Sequence, residues 1–313
     1  MAGDLAVGDL TSLKPLAPRS YALIAGVVVL TMFLWASGFV VVRYIRPYYG
    51  AGEIVFARFF GAGLVLSIPL AFERPSRPSR SDAAAIFVVG VMWLGLNNFM
   101  LNAGEKLIDA GTAAMLANVS PVCVAVAAAL VLRERVGRPI IVGLAVALAG
   151  AIVIGWSSGH HHGGLGGAAL CLFSAIPFTI AVVAQKPVLA RVSPTTATWG
   201  ACMACALVFI PFAPDLVHEV SHAPANYTLL LGYLILGPSA VAFATWAFAL
   251  THSGLAAQTV GTYLVPLFAV LLGWLALGET PAALAVLGGA LCLAGVTIAQ
   301  RSRQAIRDDR TRR

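Results

Sequence analysis

Apolar residues along this chain neither alternate with polar ones nor recur every third or fourth position. They run on in blocks of about twenty, separated by short breaks rich in Arg, Gly, Pro and Asn. A bilayer core about 30 Å thick asks for roughly 20 apolar residues per helix. Runs of that kind cover 22–42, 53–72, 83–102, 112–132, 139–156, 164–184, 195–213, 227–250, 257–277 and 281–299. The pattern predicts an all-α integral membrane protein with ten transmembrane helices. Barrel strands are excluded because no run shows a two-residue period, and a helix satisfies all its backbone groups internally. Residues 1–20 read as a polar tail, and the run after them is too long for the apolar part of a cleaved signal, so it is a retained span.

Composition agrees with the pattern: 59% of residues are hydrophobic, 11% are charged, and the mean hydropathy is +0.89. A soluble domain needs far more polar surface. The net charge of +7 suggests a nucleic-acid binder until the basic residues are located. With the N-terminus inside, sixteen Lys and Arg fall on the cytoplasmic side, including the 300–313 tail. Only Arg43, Arg46 and Lys106 fall outside, and Arg58 lies within a run. This asymmetry predicts cytoplasmic termini, a lipid-bilayer partner and no nucleic acid. The five cysteines all sit in apolar runs, where a thiol packs as a small hydrophobe. Cys202 and Cys205 have redox spacing without a strand or helix start to activate a thiolate, so they read as packing residues.

The chain also repeats itself at an offset of 145 residues. Pro121, Leu130, Leu132, Glu134, Gly143, Ala145, Leu148, Ala149 and Gly150 match Pro266, Leu275, Leu277, Glu279, Gly288, Ala290, Leu293, Ala294 and Gly295. The halves are 21–156 and 164–299, each with five expected spans, so the second copy is expected upside down relative to the first. Inverted repeats are an architecture of alternating-access carriers, with the cargo site near the midplane where the copies meet.

The motifs LWASGFVVVRYI and ARFFGAG in the first two spans, and the stretches SPVCVAVAAALVLRERVGRPIIVGLAVALAGAIVI and VPLFAVLLGWLALGETPAALAVLGGALCLAGVTIA, carry a resemblance. With them the chain resembles the ten-helix EamA branch of the drug/metabolite transporter superfamily, from about Tyr21 to Ala299. The resemblance implies a bacterial inner-membrane carrier that exports amino acids, aromatic ones among them, or related metabolites. It implies a central cavity between spans 1, 3, 4, 6, 8 and 9. It implies no enzyme activity and no cofactor.

Several residues are placed for binding. Trp93 and Asn97, then Asn98 and Asn102, are spaced i,i+4 on the third span, and amides do not face lipid cheaply. Asn118 and Tyr263 precede Pro121 and Pro266 by three residues at matching places in the two halves. Phe243 with Trp246, Gln258 with Thr262, and Trp35 with Phe39 complete an aromatic and amide set. Such a set suits a small zwitterion with an apolar side chain, the amides bonding its charged ends and the rings packing the rest. Pro121 and Pro266, read as interior to spans 4 and 9, free the carbonyls of Ala117 and Thr262 and are expected to bend the helices for gating. Arg58 is expected to bond backbone or a neighbouring helix, Glu53 to be wet, and Glu134 and Glu279 to cap the starts of spans 5 and 10. Small residues at Gly143, Ala147, Gly150, Gly288 and Gly295 would let spans 5 and 10 pack closely or form a homodimer surface.

Other chemistries remain as alternatives. An aromatic cavity also binds flat cations, so multidrug or organic-cation efflux stands second. His218, Glu219 and His222 spell the zinc-peptidase pattern HExxH, but between Pro214 and Pro224 they are expected in an outer loop, so an intramembrane metalloprotease is a distant third and no metal is expected. His160, His161 and His162 read as a solvated loop.

Overall fold

A computed structural model describes residues 18–73, 78–131, 138–158, 164–246, 249, 262 and 264–312. Among them every regular element is helical. Six helices are long and apolar enough to cross a membrane: Leu23–Ile45, Ala51–Phe72, Arg80–Glu105, Gly164–Gln185, Pro194–His222 and Ala225–Trp246. Four shorter apolar helices, Ala110–Val124, Ile141–Ile154, Leu264–Leu277 and Ala283–Ile298, lie in the remaining four runs.

In chain order the helices are α1 (Pro18–Ile45), α2 (Ala51–Phe72) and α3 (Arg80–Glu105), which is π-helical from Gly90 to Asn97. There follow α4 (Ala110–Ala117), α5 (Ser120–Val131), α6 (Arg138–Ser158), α7 (Gly164–Phe173), α8 (Ala175–Val188), α9 (Pro194–Phe209) and α10 (Ala213–His222). The last three are α11 (Ala225–Trp246), α12 (Leu264–Leu277) and α13 (Ala283–Arg312). A second π-helical stretch, Ile235–Val241, lies within α11 and starts 145 positions after the first.

The two halves pack across each other in matched pairs. α6 packs along α13, α2 against α9, α1 against α12 and α5 against α8. At the α6–α13 seam a Cβ on Gly150 would strike the carbonyl of Gly288, and one on Gly295 the carbonyl of Gly143. These four glycines are two pairs at the 145-residue offset, and each contact runs from a glycine of one pair to a glycine of the other on the facing helix. Between these contacts the Cys292 thiol donates to the carbonyl of Ala147, 145 positions earlier, at 3.2 Å. The small residues are therefore consumed inside one chain.

Both repeat prolines stand in the first turn of a helix, which differs from the expected interior kinks. The fourth span breaks at Asn118 and Val119, and Pro121 is the second residue of α5. There a missing N–H costs nothing, because the first helical N–H groups have no partner in any case. The Ala117 carbonyl freed by Pro121 accepts from the Ser120 hydroxyl at 2.7 Å. Pro266 is the third residue of α12, and the Thr262 carbonyl accepts from Val265 N–H at 3.2 Å.

The segment expected as an outer loop is the helix α10, joined to α9 through a turn of 3-10 helix at Ile210–Phe212. Pro214 sits in its first turn, where proline's fixed φ suits a helix start, and Leu216 packs onto the core.

Candidate functional site

The residues singled out on α1, α3 and α11 converge. The ring of Trp35 lies 5.0 Å from Trp246 and 5.9 Å from Phe243. Phe243 lies 5.6 Å from Trp93, edge to face, the arrangement that matches ring edge to ring face. Two rings that the sequence reading passed over complete the cluster: Phe59 of α2 at 6.3 Å from Phe243, and Phe178 of α8 at 5.2 Å from Trp93. Phe39 packs one turn along α1, against the buried side chains of α4, α5 and α12.

The four asparagines each give their side-chain NH2 to a main-chain carbonyl. Asn97 donates to Ser174, at the bend between α7 and α8, at 2.9 Å. Asn98 donates to Trp93 within the π-helical stretch at 2.9 Å. Asn118 donates to Ala114 at 3.2 Å where α4 ends, and Asn102 reaches the first carbonyl of α2 at 3.5 Å. The Ala114 and Ser174 carbonyls also accept from the Asn118 and Phe178 N–H groups, so there the amides add a second donor to a carbonyl that has two lone pairs. Thr262 is half-buried at the approach to α12. Gln258, Tyr263, Glu134 and the three histidines at 160–162 lie outside the described residues.

Arg58 is buried, and it ties three helices together. Its Nε donates to the Ser239 hydroxyl in the π-helical part of α11 at 3.1 Å, and Nη1 to the Asn98 side-chain oxygen at 3.4 Å. Its guanidinium lies 5.3 Å from the centre of the Phe59 ring, so it borders the aromatic cluster directly. Glu53 is buried rather than wet, at 9% exposure. It sits in the first turn of α2, a favourable place for a carboxylate.

Glu279 does not cap α13. One oxygen accepts from Arg43 Nε at 2.7 Å, and the other accepts from the Ala110 N–H that opens α4 at 3.4 Å. Arg43 also donates to the Glu105 carbonyl at 2.7 Å, so the ends of α1, α3 and α12 are pinned to one another at one mouth of the bundle. The HExxH residues stand beside that mouth. The His218 and His222 rings lie 4.2 Å apart, and Glu219 accepts from Gly50 N–H at 3.2 Å. No group of three metal-ligating side chains occurs among the described residues.

Comparison with known proteins gives this arrangement its class. The EamA-like transporter family matches the chain twice, over residues 22–156 and 165–300. The chain belongs to the EamA-like transporter family. It is similar to a probable terminal-alkyne amino-acid exporter of Streptantibioticus cattleyicolor, 34% identical, covering 87% of this chain and 92% of that one. It is also similar to the uncharacterized transporter YdfC of Bacillus subtilis, 27% identical over 84% of this chain and 86% of that one. A crystal structure with 21% identity and a TM-score of 0.57, covering 90% of this chain and 97% of that one, shares the fold.

This EamA-like chain is thus a multi-pass membrane transporter and not an enzyme, and the HExxH letters belong to a helix that packs on α2. The sequence reading missed Phe59, Phe178, Ser239 and Glu105. Glu105 had a signal, since it follows Asn98 and Asn102 at i+7 and i+3 on one helix face. The expected span ended at 102, whereas α3 runs to Glu105.

Proposed function

We propose that this EamA-like transporter exports small apolar amino acids across the inner membrane of a bacterium by alternating access. The observation that carries the reading is the aromatic cluster of Trp35, Trp93, Phe243, Trp246, Phe59 and Phe178, bordered by Arg58 with its partner Asn98. The rings take the apolar side chain, and the polar border takes the charged ends. The relative named as an amino-acid exporter, with its 34% identity, supports the same cargo class. A flat cation fits less well, because a guanidinium that is always charged stands buried against the cluster and repels it.

Mechanistically, ten spans in two inverted five-helix repeats rock about the central site. Support comes from the doubled family match, the crossed glycine contacts of α6 and α13, and the paired π-helical stretches. The helix starts at Pro121 and Pro266 are the bending points, and the termini face the cytoplasm. The test is counterflow into proteoliposomes holding unlabelled amino acids or flat cations, repeated with Asn118→Ala and Tyr263→Ala. Exchange of an apolar amino acid that both substitutions reduce is the expected result, and exchange of cations alone would overturn the reading.

A further inference from the structure

Two buried ionisable groups, one acidic and one basic, stand without an ion-pair partner among the described residues. Glu105, at the end of α3, is 2% exposed, and its Oε2 has no hydrogen-bond partner among the described residues. Arg58 is 7% exposed and spends Nε and Nη1 on the neutral groups of Ser239 and Asn98, with nothing among the described residues bonded to Nη2. Each lies within the other's electrostatic reach, yet no ion pair joins them. Buried charges are ordinarily paired, because leaving one alone in a low dielectric is strongly unfavourable.

One helix face connects the two. Asn98, Asn102 and Glu105 recur at i, i+4 and i+7, so they share one face of α3, and this face meets α2 where Asn102 reaches Ala51 and Asn98 receives Arg58. The other groups bearing on Glu105 are Arg43 of α1, Cys171 of α7 and Glu279. Arg43 is taken up by Glu279 and by the Glu105 main-chain carbonyl, so it leaves Oε2 of Glu105 unserved.

We infer that Arg58 and Glu105 form the two halves of a clasp for a zwitterion: the cargo carboxylate lies on the open Nη2 edge of Arg58, and the cargo ammonium donates to Oε2 of Glu105. A cargo held this way rests its side chain on Phe59, which touches both Arg58 and Phe243 and so leads into the aromatic cluster. The clasp selects by double need. An amine without a carboxylate leaves Arg58 unpaired, and an acid without an ammonium leaves Glu105 unpaired, so both are rejected. The inference rests on the amino-acid reading above and deepens it by naming which charges meet which end.

The test uses the full chain in proteoliposomes. Labelled apolar L-amino acids, with phenylalanine and leucine among the full set, are exchanged in competition with phenethylamine and 3-phenylpropionate. In the wild type the amino acids exchange, and neither analogue competes within about tenfold of phenylalanine, the loss expected when a charge-assisted hydrogen bond goes unmade. Glu105→Gln keeps the shape and removes the charge, so amino-acid exchange falls about tenfold or more through a raised KM, while 3-phenylpropionate becomes a competitor. Glu105→Asp restores part of the exchange. Wild-type exchange of amino acids that Glu105→Gln leaves unchanged overturns the clasp and leaves the amino-acid reading standing. Should Glu105→Gln not fold, the wild-type competition decides, because equal competition by either analogue also overturns the clasp. A wild type that moves no amino acid overturns both.

Discussion

The α6–α13 seam and the α1–α3–α11 cluster are built on opposite principles. At the seam small residues bring two helices to backbone contact, and even the Cys292 thiol finds its acceptor in Ala147. In the cluster the helices are interrupted by π-helical turns and large rings meet at angles, and at the end of α3 a buried carboxyl oxygen has no hydrogen-bond partner among the described residues. In lipid, where apolar burial gives helices little reason to associate, close packing of small residues is what holds a bundle together. Under the proposed alternating access, the seam is the fixed part and the irregular, polar-edged cluster is the part that rearranges around a cargo.

Breaking the seam gives the largest expected effect. Gly150→Leu drives a side chain into the Gly288 carbonyl and the Cys292 backbone N, 2.7 Å from the would-be Cβ, so the protein should not be recovered as a monodisperse peak in detergent. Gly26→Leu, where a Cβ meets nothing within 4 Å, should elute as the wild type does. In the cluster, Phe243→Ala removes a ring in contact with Trp35, Trp93 and Phe59 and should cost about 3–5 kcal/mol in thermal unfolding, with cargo exchange reduced. Ser120→Ala strips the Ala117 carbonyl of its donor and should cost about 1 kcal/mol by the same assay. Smallest of all, Arg43→Gln loses a partly exposed pair with Glu279, worth up to about 1 kcal/mol of stability, but it unpins the mouth and should change the exchange rate. A chelator should leave exchange unaltered in both the wild type and Glu219→Gln, since no three-ligand cluster accompanies His218 and His222 among the described residues.

The hydrophobic runs were legible because bilayer thickness imposes a length, and the duplication was legible because the glycines of α6 and α13 keep their spacing. What escaped the sequence was local. Helix ends shifted: α3 extends past residue 102 and brings Glu105 into the buried set, and α10 forms where two prolines suggested a loop. Proline placement was misread for a related reason, since a helix break just before Pro121 turns an interior kink into a helix start. Trp35, Trp93, Phe243 and Trp246 were found by spacing, because rings on one helix face must share a neighbour. Phe59 and Phe178 carry no such spacing and are recognised only once α2 and α8 close on the others. The amides were read as cavity groups, while Asn97 and Asn118 donate to backbone carbonyls at breaks that periodicity does not reveal.

A cross-link at the mouth tests the contrast between fixed seam and moving site most directly. Arg43→Cys with Glu279→Cys places two thiols where the present ion pair closes α1 onto the end of α12. In proteoliposomes, oxidising this double variant should abolish amino-acid counterflow and reduction should restore it, whereas the same oxidation of the wild type should change nothing. Counterflow that continues unchanged once a disulfide between positions 43 and 279 has been verified would contradict the account, because the mouth would then not need to open for cargo to pass.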